Sequence, residues 1–154
     1  MYVAVPSPML SKLRRPKARW TEIVRIAADA VHLSPSSCLR RVRALEDAGI
    51  IKGYVALLDP AKIGKGFTAY ARVWLTAQDL ETVQCIVDAI QSIAEVVECH
   101  LMAGECDVML RVVAADLTAY RKFQIEHLTR LDCVRSVKTE VPMEQAKLTS
   151  ELPI

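Results

Sequence analysis

The chain has 154 residues, 52% of them hydrophobic and 25% charged, which suits one ordinary domain or two small ones and excludes an intrinsically disordered chain. No uncharged run approaches the ~18 residues of a membrane span, so a membrane protein is not expected. The net charge of +2 hides an asymmetry: residues 1–54 carry ten Lys/Arg against four acids, and residues 55–154 carry ten against fourteen. A small basic half built for a polyanion, joined to a mildly acidic half with another task, is the expectation.

Residues 1–20 form an atypical basic arm. They hold Lys12, Arg14, Arg15, Lys17 and Arg19 without an acid, and Pro6, Pro8 and Pro16 each disrupt a helix interior. No apolar stretch with a small-residue cleavage site follows, nor a clean amphipathic repeat, so neither a secretory signal nor a transit peptide is expected. Apolar residues then recur at helical spacing through Ile23, Ile26, Ala27 and Ala30, which predicts a short helix over 21–30. Val31-His32-Leu33 makes a tight turn with Leu33 tucked beneath. Ser34 is the N-cap of a second helix, with Pro35 at its first position, where a missing N–H costs nothing. Gly49 can take the left-handed conformation at the far end, with Ile50 giving the apolar contact of a Schellman ending.

This is the physics of a helix-turn-helix. On the second helix Cys38, Val42 and Leu45 share the face expected to be buried. The reverse carries Ser36, Ser37, Arg40 and Arg43, with Arg41 on the flank. Small hydroxyls near the N-terminus allow close approach, and arginines one turn on bind guanine edges bidentately or clamp phosphate. Double-stranded DNA is the expected partner, contacted by Ser34, Ser36, Ser37, Arg40, Arg41 and Arg43, within a DNA-binding domain over residues 1–54.

Residues 55–66 read as a linker strand and loop, since Pro60, Gly64 and Gly66 fall within a few positions of one another. From there the pattern is strand, helix, strand, strand, helix, strand. Phe67 to Ala77 alternates between two faces. Asp79 caps a helix burying Leu80, Val83, Val87 and Ile90. Val96 to Ala103 and Asp107 to Ala114 are strands joined through Gly104-Glu105-Cys106. Asp116 caps a helix with Leu117, Tyr120, Phe123 (or Gln124), Leu128 and Leu131 inward, and Val134 to Val141 is the last strand. This βαββαβ order builds an antiparallel, ferredoxin-like sheet with both helices on one face. The whole is an α+β protein with an N-terminal (winged) helix-turn-helix, either with or without a regular first helix. The bare sheet face would display Tyr70, Trp74, Met102, Met109, Val113 and Val137, and its expected cover is the same face of a second copy.

Five cysteines at 38, 85, 99, 106 and 133 show no framework spacing, which predicts reduced thiols and a cytoplasmic location. Alternation puts Cys99 and His100 on opposite faces of a strand, so no metal site is expected with Cys106, and no cofactor either. Cys106 in an exposed turn is a weak candidate for a redox-sensitive thiol. His32 and His127 have no catalytic companions, and no phosphate loop, nucleophile elbow or carboxylate pair is present, so an enzyme is not expected.

The segment LSPSSCLRRVRALEDAGIIKGYVALLDPAKIG, residues 33–64, resembles the signature of the Lrp/AsnC (feast/famine) family of prokaryotic transcription regulators. The βαββαβ half, the loop Ala103-Gly104-Glu105-Cys106-Asp107 and the ending Val137 to Pro142 with Glu151-Leu-Pro-Ile resemble the same family, so the likeness covers residues 20–154. It implies sequence-specific DNA-binding regulation answering to an amino-acid effector. It also implies an effector-binding and oligomerisation domain over 67–154, and dimers that assemble into tetramers, octamers or higher species. The effector residues it implies are Met102, Ala103, Gly104, Glu105, Cys106 and Asp107, with Thr139 and Glu140 from the last strand. Gly104 would free backbone N–H groups for a carboxylate, while Asp107 or Glu105 would take the α-ammonium. One departure stands out: the family's opening helix, patterned L-D-x-x-D-x-x-I-L, has no counterpart before Trp20. An amino-acid-binding oligomer with weak or lost DNA binding is the alternative that this departure leaves, and a phosphate-contacting arm is another use for its basic residues.

Overall fold

The computed structural model describes residues 17–149. The chain divides into two compact units, the first ending at Leu57 and the second beginning at Leu58.

The first unit is built on α1 (Lys17–Ala30) and α2 (Pro35–Asp47). Helix α1 starts at Lys17, four residues before the expected 21. The rest of the basic arm, with Lys12, Arg14 and Arg15, lies outside the described residues. Val24 and Ala28 of α1 are buried against Cys38 of α2, with Leu33, Leu39 and Val42 packed around them. The buried stripe is therefore not the expected one. Ile23, Ile26, Ala27 and Ala30 are exposed, because a two-helix contact closes on one narrow seam and the Val24–Ala28 stripe meets it. Leu45, expected to be buried, is 40% exposed, since it lies one turn beyond the seam.

Both helices end in the same way. Gly49 at φ 69° donates its N–H to the Glu46 carbonyl and Ile50 donates to Leu45, the paired bonds of a Schellman motif. After α1 the same two bonds run from His32 to Asp29 and from Leu33 to Ala28, with His32 held at φ 53°. The strand expected within 55–66 does not form. Residues 52–59 carry no regular structure, and a short 3₁₀ turn at Ala61–Ile63 closes on Gly64 at φ 70°.

The second unit is a four-stranded antiparallel sheet in the order β2-β3-β1-β4, with β1 (Phe67–Leu75), β2 (Val96–Leu101), β3 (Val108–Ala114) and β4 (Val134–Glu140). Helices α3 (Leu80–Gln91) and α4 (Leu117–Phe123) connect them as expected. Asp79 caps α3 through the Thr82 N–H at 2.9 Å, and Asp116 caps α4 through the Ala119 N–H at 2.8 Å. Alternation decides the faces: Ala69, Ala71, Val73 and Leu75 of β1 and Val108, Leu110, Val112 and Ala114 of β3 form the core with Ile86, Ile90, Tyr120, Phe123 and Leu128. Leu80 and Leu117 do not join it. Each is the first residue of its helix, and at 83% and 59% exposure points away from the sheet. Ile86 takes the place expected of Leu80. Past Phe123 the chain makes a π turn over Gln124–Leu128, closed by the Thr129 N–H on the Gln124 carbonyl. The extra residue in that turn brings Phe123 and Leu128, five apart, onto one face.

The outer face also needs two corrections. Met102 lines a cavity with Leu75 and Val83 and does not stand on that face. Val137 pairs with Val73 and packs on the core, so it does not belong to the bare face. That face carries Tyr70, Trp74, Met109 and Val113 among paired charges: Arg72 with Glu105 and Glu140, and Arg111 with Glu98.

Candidate nucleic-acid interface and ligand cavity

The candidate DNA-contacting residues all sit on or before α2. Ser34 caps it, its Oγ accepting the Ser37 N–H at 3.3 Å and lying 3.2 Å from the Ser36 Oγ. Its hydroxyl is thereby committed to holding the helix end that presents its N–H groups outward. Ser36, Arg40 and Arg43 fall on one face at helical spacing and line a shallow groove with Leu39, Ala44 and Asp47. Arg41 is exposed on the flank, and Ser37 is half-buried against the other side. Arg40, Arg41 and Arg43 form no ion pair among the described residues, so their charge is free for an external partner. Asp47, at the C-terminal end of the groove, confines that positive face to the first three turns.

In the second unit the implied effector residues separate into two groups. Met102, Ala103, Gly104 and Asp107 line a cavity of about 470 Å³ with Leu75, Gln78, Val83 and Leu101. The Asp107 carboxylate forms its floor, accepting the Leu75 N–H at 2.8 Å and the Gln78 side-chain N–H at 2.7 Å. The loop is anchored on both sides of that acid, since the Asp107 N–H donates to the Val73 carbonyl and its carbonyl accepts the Met102 N–H. Gly104 has no left-handed φ, and a Cβ added there would meet nothing within 4 Å. Turn geometry does not require this glycine, and its absent side chain leaves backbone open to the cavity mouth.

The remaining members point elsewhere. Glu105 leaves the cavity for the outer sheet face, where its carboxylate meets the Arg72 guanidinium at 3.1 Å and its carbonyl accepts the Trp74 indole N–H at 2.6 Å. Glu140 reaches the same guanidinium at 3.5 Å. Thr139 faces the helix layer, 2.8 Å from the Tyr120 hydroxyl. Burial pushes the Tyr120 hydroxyl above its ordinary pKa, with the Thr139 bond opposing the shift. Cys106, expected in an exposed turn, is 3% exposed and packs inward. Gln78, Val83, Leu75 and Leu101 are the lining residues that sequence reasoning missed. Gln78 alone carried a signal, as a polar residue just after a buried strand.

A helix-turn-helix unit joined to an antiparallel βαββαβ unit with a cavity in its central loop defines a class, the two-domain regulators that pair a DNA-binding module with a ligand-binding one. Residues 26–52 match the winged helix-turn-helix DNA-binding family and residues 68–152 match the Lrp/AsnC ligand binding domain. The transcriptional regulator AzlB of Bacillus subtilis is 36% identical over 124 residues, 80% of this chain and 79% of that protein. The leucine-responsive regulatory protein of Escherichia coli K12 is 38% identical over 124 residues, 80% of this chain and 76% of that one. Among solved structures, a Neisseria meningitidis transcriptional regulator in complex with L-methionine superposes with a TM-score of 0.77 at 32% identity, covering 82% of this chain and 81% of that one. An AsnC family regulator from Agrobacterium tumefaciens gives 0.77 at 35% identity, covering 84% of each chain. The chain belongs to the Lrp/AsnC family. No helix among the described residues is long and apolar enough to cross a membrane.

Proposed function

We infer that this protein is a sequence-specific, DNA-binding transcriptional regulator whose activity answers to an amino acid. The observation that carries the DNA-binding half is the capped α2 with Ser36, Arg40 and Arg43 on one exposed face and no ion pair to the arginines among the described residues. Ser36 and the helix N-terminus approach backbone phosphate, Arg40 and Arg43 reach base edges, and Arg41 takes a flanking phosphate.

The effector binds in the cavity under the 102–107 loop. Asp107 takes the α-ammonium with the lone pairs that Leu75 and Gln78 leave free, and the open backbone at Gly104 takes the α-carboxylate. Leu75, Val83, Leu101 and Met102 surround the side chain, which suits an apolar amino acid. The methionine bound by the Neisseria relative supports this reading. Dimers form through the outer sheet face and assemble further, and loop residue Glu105 reaches that face through Arg72, so the cavity and the assembly surface share a loop.

Trp74 reports on this loop through its bond to the Glu105 carbonyl. In a Trp20→Phe variant, which leaves Trp74 as the single tryptophan, titration with an apolar amino acid should give a saturable change in fluorescence that aspartate and lysine do not produce. Gly104→Val, whose side chain has open space in the free protein, should abolish that change while the fold melts as before. A response that Gly104→Val leaves intact would remove the cavity from the reading.

A further inference from the structure

We propose that the open edge of β2 is an assembly surface, pairing antiparallel with β2 of a second copy of this chain in a register centred on Cys99. The strand lies at one end of the sheet, bonded to β3 on one side and to no strand among the described residues on the other. Met102 turns its N–H toward β3, donating to the Asp107 carbonyl at 2.9 Å, so alternation turns the backbone groups of Leu101 and Cys99 to the open side. Such a row of unpaired groups is a template for another strand. The opposite edge, β4, is guarded by Arg135 and Lys138, whereas β2 carries no lysine, arginine or proline. Its side chains alternate instead. Glu98 and His100 stand on the outer face beside Arg111 and Met109, and Val97, Cys99 and Leu101 turn to the helix side, with Val97 46% and Leu101 58% exposed.

These side chains choose the partner and the register. Antiparallel pairing on a twofold axis places one residue opposite itself. Centred on Glu98, it sets two carboxylates together. Centred on His100, it sets two imidazoles together and leaves Glu98 without a charged group opposite. Centred on Cys99, it sets each Glu98 opposite His100 of the second copy and each Val97 opposite Leu101 of the second copy, so charge and apolar surface both match. Within one copy the Glu98 carboxylate holds the Arg111 guanidinium at 2.7 Å with one oxygen, while its other oxygen has only the His100 imidazole at 3.6 Å. That second oxygen has room for the imidazole opposite. On the helix side a cavity of about 340 Å³ runs between β2 and Val87, Ile90 and Gln91 of α3, which suits the apolar side chains of an incoming strand. A bulge between Val96 and Glu98 bends β2 at its start, which keeps the ladder to the stretch from Val97 to Leu101. The contact uses the strand edge and not the outer sheet face, so it joins copies whether or not that face is already paired.

The test uses the full chain carrying Cys85→Ser, which leaves Cys99 as the exposed cysteine, treated briefly with o-phenylenedimaleimide and mapped by mass spectrometry, with sedimentation velocity alongside. In this register the Cys99 Cα atoms of the two copies lie about 5.5 Å apart, so a Cys99–Cys99 cross-link between chains is expected. His100→Glu, which sets carboxylates opposite one another, should abolish the cross-link and lower the sedimentation coefficient. His100→Lys, which keeps opposite charges facing, should retain both. The His100 side chain is 60% exposed, so neither variant disturbs the core. No cross-link at Cys99, or one that His100→Glu leaves at full yield, would overturn the proposal, and neither readout depends on DNA or amino-acid binding.

Discussion

His32 and Gly49 hold the same position in two copies of one motif, the left-handed residue that ends a helix and donates back into it. Only one of them is glycine. A left-handed non-glycine residue costs about 1–2 kcal/mol, partly offset by the extra chain entropy glycine loses on folding. His32→Gly should therefore stabilise the helical unit by about 0.5 kcal/mol in chemical denaturation, and Gly49→Ala should destabilise it by about 1 kcal/mol. No crowding confuses the second comparison, since a Cβ at Gly49 meets nothing within 4 Å. The glycine ending of α2 was legible in the sequence because Gly-Ile after an amphipathic run has few other uses. The histidine was legible as a turn but not as a left-handed cap, since histidine, though enriched among left-handed residues, is a far weaker signal than glycine. Among the DNA-facing residues, Arg40→Ala should weaken specific binding by roughly 1–3 kcal/mol if it reads a guanine, measured by anisotropy against the operator and a scrambled duplex. Equal loss on both duplexes would make Arg40 a phosphate contact instead.

At the level of elements, capping and alternation decide most of the second unit. Asp79 and Asp116 stand where an acid before an amphipathic run predicts a cap, and each accepts the expected N–H. Alternation separates the faces of β1 and β3 without error, because both strands are central and every second residue must meet the helices. It misplaces Val137 because β4 is an edge strand whose register shifts by a bulge near Trp74 and Leu75. Helix stripes are less legible, since adjacent stripes of α1 are both apolar and only the tertiary contact chooses between them. The cap on α3 has a consequence for pH. The backbone N–H of Thr82, then its hydroxyl, hold the Asp79 carboxyl below its ordinary value in the folded chain. The stability this adds is complete above the usual carboxylate range and is lost as the pH falls through the depressed value. Asp79→Asn should flatten that part of the acid side of a melting-temperature profile, and an unchanged profile would show that the charge contributes nothing there.

For the whole molecule, the two units accord with the charge asymmetry read from the chain. The basic unit exposes Arg40, Arg41 and Arg43 without an ion pair among the described residues, while in the acidic unit Arg72 and Arg111 are bound to Glu105, Glu140 and Glu98 across the outer sheet face. The Arg111 hydrogen bond accordingly holds Glu98 below its ordinary pKa. That face is more polar than the sequence alone suggested, because alternation could place Arg72 and Arg111 on it but could not reveal which acids reach them. A dimer through it should keep Tyr70, Trp74, Met109 and Val113 at its centre. Arg111→Ala, which leaves Glu98 with only the His100 imidazole at 3.6 Å, should weaken the dimer in sedimentation velocity. The cavity is the least legible feature, since Gln78 and Val83 come to the 102–107 loop only through the path of the chain from β1 into α3. The most direct test of the central claim is a gel shift of the full chain on its own upstream DNA, across a salt series with excess competitor and with or without an apolar amino acid. The account predicts retention that survives competitor, weakens steeply with salt, and changes when the amino acid is added. A folded, oligomeric protein that shows no specific retention at any salt would contradict it and leave only the ligand-binding half of the reading.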